Sequence, residues 1–534
     1  MPRAWDIQRP KIQDFPADTY AYLDGATCSP CAKIAEMDSK IEQHLQAIAQ
    51  LVKQRDRYAS HLNNHHDPFT SRLPFEVASE ILRLALPNYP DRVDPEHYDT
   101  GENSHIAAAL TLGRVSRVWR AITHKTPQLW NIVGIKVENK GPTPAIFHIR
   151  ELLDRSVNLP LHLKLYANID RDAHERSEIV ASIIQHLIHY SGRWRSLHLK
   201  VPAELVSLLS SQLPSQQNHF SENLSLQMSG TESGENPIEL RLAMFSPKRI
   251  SLSLDPRRLH IRWDNVVNCN LHCTSLLDPL HILAHCSQLT SLRLSGFLVQ
   301  QGNPTYPQVV NASLRELEVK AIAPRSRDTW ATLSLPGLRR LSCQTMQHDQ
   351  WENYQNFIVR SECSLTELCI NGDNQDSDLE DLVQLLQVTP TLQILRITQV
   401  PLNDTFFKIL AWTAIMPVSL PMEIFLPKLH TFHFVIPDGS RRYFKWDSVP
   451  SFANAIPTDA QSRRPLKIIQ LELRYTSVHD SDDEWLIEPE VLPRIRDLER
   501  SGIEVVITDC NNEDLIEKSI QRSVEIVPDD MFFS

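Results

Sequence analysis

From Trp194 onward one pattern keeps returning: an apolar residue, two others, an apolar residue, one other, an apolar residue. It stands at Trp194/Leu197/Leu199, Val266/Cys269/Leu271, Leu289/Leu292/Leu294, Leu314/Leu317/Val319 and Leu338/Leu341/Cys343. It continues at Leu365/Leu368/Ile370, Leu392/Leu395/Ile397, Leu429/Phe432/Phe434 and Ile468/Leu471/Leu473, with a weaker copy at Leu252/Leu254. Copies from Val266 to Leu392 are 23, 25, 24, 27 and 27 residues apart, and the later steps stretch to 37 and 39. A period in the twenties, with one short alternating run per unit, is the pattern of a leucine-rich-repeat-like solenoid. A single unit of this kind cannot bury its apolar face; stacking on its neighbours makes one continuous core. The competing reading is an ordinary α/β sheet with chance spacing.

The pattern predicts an α/β chain in which residues 193–510 form an irregular leucine-rich-repeat-like array with a parallel sheet. Helical returns such as Ser275–Cys286 and Leu379–Val388 are expected to cover its other face. A helix over Val491–Glu499 precedes the last expected strand, Glu504–Thr508. Residues 511–534 are expected to cap the array or fray. Residues 136–192 read as a transition segment, with helical spacing over Ala145–Ser156 and Ile179–Tyr190 and strand alternation at Leu161, Leu163 and Leu165.

The N-terminal part is different in kind. After a flexible lead-in, residues 1–28, Ser29-Pro30 reads as a helix start, with Ser29 capping and Pro30 in the first position. Ile34, Ile41, Ile48, Arg55 and Leu62 fall seven apart, and Met37, Leu51 and Tyr58 fill the intervening seam. The run Ala32–Asn63 contains no Gly or Pro, so residues 29–66 are expected to be one long amphipathic helix, coiled-coil-like. Arg55 and His44 on or near the seam favour packing within the chain, or a weak self-contact, over a firm dimer.

Residues 67–135 read as a small helical module. Leu73-Pro74 is extended, because the residue before a proline is pushed out of the helical region. Pro74 suits the first helical position, and Glu76 the positive end of the helix dipole. Val77, Ile81 and Leu84 share one face by their spacing. Leu110, Val115, Val118 and Trp119 read as a second helix, and Leu129 and Trp130 follow Pro127.

Together the Leu-Pro-x-Glu-x-x-x-x-Ile-Leu opening, the Val-Ser-x-x-Trp-Arg centre and the Leu-Trp close resemble an F-box. The layout, with a preceding helix and a leucine-rich region behind, is similar to F-box proteins of mushroom-forming fungi. Val115 stands where that family usually has Cys, and the Pro-rich loop Pro87–Ser104 is longer than a compact F-box needs. The resemblance implies binding to the Skp-type adaptor, and through it to the cullin, of an SCF ubiquitin ligase. It carries over to Leu73, Pro74, Val77, Ile81, Leu82 and Trp119 as adaptor-binding positions.

Composition removes several other classes. A net charge of −11 lacks the cations that nucleic acid would require. Only 14 glycines are present and no Gly-rich phosphate loop is found. No apolar run approaches 18 residues, so no membrane span is expected, and Met1–Pro10 has no signal-peptide core. Nine scattered cysteines suit a reducing compartment, cytoplasmic or nuclear.

The local candidates for chemistry have plainer readings. Cys28-Ser-Pro-Cys31 at a helix start has redox spacing, but lacks the strand-helix-strand context. Cys269, His272, Cys273, His281, His285 and Cys286 are crowded, yet match no zinc module. Asp373–Asp381 lacks the glycine a calcium loop needs, and Asp480, Asp482, Asp483 and Glu484 read as a loop. No catalytic residue, metal or cofactor is therefore expected.

The expected function is substrate recognition for an SCF-type ligase, in which the module holds the adaptor and the array holds an unknown protein target. Arg293, Arg315, Glu318 and Arg396, at variable positions of the repeat, are the expected target contacts. A leucine-rich-repeat scaffold with a degenerate F-box, and an enzyme built on the Cys28/Cys31 pair or the Cys/His cluster, are the alternatives.

Overall fold

The computed structural model describes residues 29–65, 72–86, 105–139, 146–169, 173–213, 222–228, 239–243, 245–272, 277–296, 307–320, 327–344, 350–372, 379–415, 425–436, 444–453, 465–474 and 486–525. The lead-in, Cys28, Cys273, the loop Pro87–Ser104, the acidic positions 373–378 and 480–484, and the C-terminal residues from 526 lie outside them. The chain divides into two compact units, residues 1–85 with 110–125, and residues 86–109 with 126–534.

In the first unit the long helix runs Ser29–His65. Two shorter helices, Phe75–Leu84 and Arg117–Lys125, pack on each other. Pro74 is the cap of the first of these rather than its first residue, with φ −56° and ψ 151°. The expected second helix is broken. Leu110 and Val115 lie on His105–Val115, within which the division between units falls, while Val118 and Trp119 lie on Arg117–Lys125. Ser116 makes the break: its Oγ accepts the Trp119 amide at 3.1 Å, as an N-cap does.

The second unit is a 14-stranded parallel sheet in which spatial order follows chain order. Its strands are Ile132–Glu138, Leu161–Asn168, Trp194–Val201, Asn223–Met228, Arg249–Leu252, Asn268–His272 and Ser291–Ser295. The remainder are Glu316–Lys320, Arg340–Gln344, Glu367–Asn371, Ile394–Thr398, Thr431–Ile436, Ile468–Leu473 and Glu504–Thr508. This is the α/β architecture the repeat predicts, consistent with a leucine-rich-repeat-like solenoid, but the sheet begins earlier than residue 193. The 136–192 segment supplies strand Leu161–Asn168 and the helices Ile146–Arg155 and His174–Ile188. Leu129 and Trp130 also belong with the sheet unit, since the short turn Pro127–Leu129 leads directly into its first strand.

Register converts the sequence pattern into two ladders, with two copies displaced by two residues: Ile250/Leu252 stand in them rather than Leu252/Leu254, and Ile469/Leu471 rather than Leu471/Leu473. The first passes from Val133 through Leu163, Leu197, Leu224, Ile250, Cys269 and Leu292, then through Leu317, Leu341, Leu368, Leu395, Phe432 and Ile469 to Val505. The second lies two residues further along each strand, from Ile135 to Ile507. Alternate side chains of a strand point to one face, so both ladders enter the core, where helix residues such as Ile183, Leu283, Phe357, Leu385 and Phe407 meet them. Repeats are also joined by backbone. The carbonyls of Thr290, Arg315, Arg339, Thr366, Gln393 and His430 each accept two consecutive amides from the following repeat.

Where the repeats lengthen, larger side chains fill the added volume. Phe406, Phe407, Phe425, Phe432, Phe434, Phe444 and Phe452 form one aromatic cluster with ring centroids 5.4–6.4 Å apart. At the C-terminal end, helix Leu515–Glu525 caps the array through buried Leu515 and Ile516. Ser519 Oγ there takes the Ile487 amide at 2.9 Å. The tail therefore caps as far as residue 525.

Candidate functional site

Two surfaces of different chemistry stand out, one in each unit. The first is a face of helix Phe75–Leu84. This helix is apolar on both sides. Ala78 and Leu82 point inward and are buried, while Val77, Ile81 and Leu84, one turn apart, point outward. Val77, Ile81 and Leu84 are 44, 39 and 67% exposed, against 1% for Leu82. Glu80 and Arg83 flank the outward face and pair with each other at 2.6 Å. Pro74 is exposed, and Leu73 and Trp119 are half-buried. The six positions expected to bind an adaptor thus divide. Leu82 holds the module together, Val77, Ile81 and Pro74 are accessible, and Leu73 and Trp119 lie between.

The second surface is the polar face of the sheet, made by the residues between and beside the two ladders. At its N-terminal end lie Lys136, Lys164, Lys200, His162, His198 and Tyr166. The Lys136 and Lys200 ammonium groups stand 5.9 and 5.3 Å from the centre of the Tyr166 ring. His198 is buried between Lys164 and Ser225 in the register, and its Nε2 has no hydrogen-bond partner among the described residues. Burial, reinforced by Lys164 and His162, pushes its pKa down to about 3, so the ring is neutral.

Further along, the same face becomes a chain of alternating charges. Arg293 pairs with Glu318 at 2.9 Å, and Glu318 also takes Lys320 at 3.2 Å. Arg340 bridges Glu316 and Glu367, each at 2.7 Å, and Arg396 reaches Glu367 at 3.5 Å. His433 and Gln470 then both contact Glu472, at 3.0 and 2.9 Å. Of the four expected target contacts, Arg293, Glu318 and Arg396 share one row of this face. Arg315 is placed before its strand, and its guanidinium donates to the carbonyls of Ala312 at 3.0 Å and Gly337 at 2.8 Å. Arg340 was missed by sequence reasoning. Its only signal is the cross-strand register, which a single strand does not carry.

The Cys/His crowding resolves into core and surface. Cys269 occupies the first ladder, and burial raises its thiol pKa far above the usual value. Burial pushes Cys286 up to about 12, and burial with Glu367 pushes Cys369 up to about 11. Such thiols are protonated at neutral pH and are poor nucleophiles. His281 and His285 lie with ring centres 4.1 Å apart and planes tilted by 30°, and His285 Nδ1 lies 2.8 Å from the His281 carbonyl oxygen. His272 Nδ1 meets Ser295 Oγ at 3.3 Å. Among the described residues no three His, Cys, Asp or Glu side chains gather as metal ligands would. No described helix is long and apolar enough to cross a membrane.

No protein-family model matches this chain, and comparison with curated proteins gives no match.

Proposed function

We propose that this chain is the substrate-recognition subunit of an SCF-type ubiquitin ligase, with helix Phe75–Leu84 docking on the Skp-type adaptor. The observation that carries the reading is the helix with two apolar faces. One face is spent on the module's own core; the other, Val77, Ile81 and Leu84, lies exposed. Exposed apolar groups on one short helical face suit an interface whose hot spots are desolvated on binding. The Leu-Pro opening, the Val-Ser-x-x-Trp-Arg centre and the repeat array behind them support the same reading by resemblance.

In this role the chain makes and breaks no bonds. The adaptor links the module to a cullin that carries the ubiquitin-charged enzyme, and the sheet face holds the target. Tethering both raises the effective concentration of target lysines at the charged enzyme. The charge alternation from Arg293 to Arg396 suits a partner presenting both signs, since complementary charges set register and partner choice.

The test is a pull-down of the full chain with purified Skp-type adaptor. The Leu73→Ala/Pro74→Ala and Trp119→Ala variants serve as controls, with circular dichroism confirming that each is folded. Retention of the wild-type chain and loss of the folded Leu73→Ala/Pro74→Ala variant is the expected result. A folded wild-type chain that is not retained overturns the ligase reading and leaves a repeat scaffold with a degenerate F-box.

A further inference from the structure

We infer that the long helix Ser29–His65 pairs, antiparallel, with the same helix of a second copy of this chain. The inference stands apart from the ligase reading. Every described side chain from Ala32 to Leu62 is exposed, so the expected packing of this seam inside the chain is not what the structure shows. Nine large apolar residues are among them: Ile34, Met37, Ile41, Leu45, Ile48, Leu51, Val52, Tyr58 and Leu62. The helix has 37 residues and is about 55 Å long. Most helices in proteins owe their stability to a packed apolar face, and among the described residues the seam from Ile34 to Leu62 is not buried.

The apolar residues are not scattered. Ile34, Ile41, Ile48 and Leu62 hold one heptad position, and Met37, Leu51 and Tyr58 hold the other. Leu45 and Val52 widen the seam along one edge. A seam of this period accepts another helix with the same period, each knob entering a hole of the partner.

Orientation follows from the charges. A parallel pair in register sets Arg55 against Arg55 within the seam. An antiparallel pair centred on residue 46 instead sets Ile34 opposite Tyr58, Ile41 opposite Leu51, Ile48 opposite His44, and Arg55 opposite Met37. Asp38, next to Met37, is then within reach of the second copy's Arg55. The two halves of the helix are also complementary. Lys33 and Lys40 are outnumbered by Glu36, Asp38 and Glu42 in the first half, whereas Lys53, Arg55 and Arg57 outnumber Asp56 in the second. Antiparallel pairing lays the acidic half along the basic one, and parallel pairing sets like on like.

Sedimentation velocity of the full chain over a micromolar range tests the association. A concentration-dependent dimer is expected, weakened at least about tenfold by Ile41→Asp/Ile48→Asp. Circular dichroism at matched concentration checks that the rest of the variant stays folded. Orientation is read by disulfide trapping in chains carrying Cys28→Ser, Cys31→Ser and Cys510→Ser. Met37→Cys and Arg55→Cys chains are expected to cross-link with each other when mixed, and not alone. A monomer at every concentration, or a dimer unchanged by Ile41→Asp/Ile48→Asp, overturns the pairing through this seam. Cross-linking by either cysteine chain alone overturns the antiparallel arrangement.

Discussion

A Cβ placed on Gly337 would stand 2.0 Å from the Arg315 guanidinium and 2.2 Å from the Ala312 carbonyl oxygen. The first neighbour can swing away; the second is backbone and cannot. Gly337→Ala should therefore cost about 1–3 kcal/mol, the range for overpacking a filled site, and Arg315→Ala should not restore it. Urea unfolding of the single and double variants measures both. His198 gives a second residue-scale expectation. Its folded pKa of about 3 lies below the ordinary imidazole value. As pH falls below about 6.5 the unfolded chain takes up a proton that the folded chain refuses, so stability falls by at most about 1.4 kcal/mol per pH unit. Unfolding curves at pH 7 and pH 5 should lie closer together for His198→Gln than for the wild-type chain. The polar positions were the hardest to read from sequence. Arg315 has the same spacing as a surface residue, but its bonds run to two turns of backbone. Val77 and Leu82 are equally apolar, and only packing decides that one faces solvent and the other the core.

At the scale of elements, the two apolar ladders explain why so much of the fold was legible. Each repeat carries both ladder positions in its own sequence, so Glu504–Thr508 is a strand over the residues expected, the helix expected over Leu379–Val388 ends one residue earlier, and that expected over Val491–Glu499 is shifted by one residue. Asn223–Met228 was missed because it lacks a complete signature, with Ser221 where the leading apolar residue would stand. Leu161–Asn168 has no such lead either, and only its plain alternation marked it as a strand. Trp130, Val133 and Ile135 do carry the spacing, but assigning Leu129-Trp130 to the helical module hides it. Because each interior ladder residue touches the repeats on both sides, truncating one leaves a cavity that neither neighbour can close. Leu368→Ala, fully buried between Leu341 and Leu395, should cost about 2–5 kcal/mol. Thr366→Ala removes only a hydroxyl that donates to the Arg339 carbonyl at 3.1 Å, and should cost about 0.5–1.5 kcal/mol. Paired chemical denaturation curves separate the two.

At the scale of the whole molecule, two units with different surfaces account for one proposed task. The helical unit offers an apolar face and the sheet unit a polar, charge-alternating one, which are the chemistries of a hot-spot contact and of a selective one. The proposed task depends on the outward face of helix Phe75–Leu84 being a docking surface. Its most direct test is the affinity of the purified Skp-type adaptor for the full chain, measured by titration calorimetry with wild type, Ile81→Glu and Thr366→Ala. Ile81→Glu should keep the wild-type circular dichroism spectrum and weaken binding at least about thirtyfold, the loss expected at a hot spot, while Thr366→Ala should bind as wild type. Unchanged binding by Ile81→Glu, or no binding by the folded wild-type chain, would contradict it.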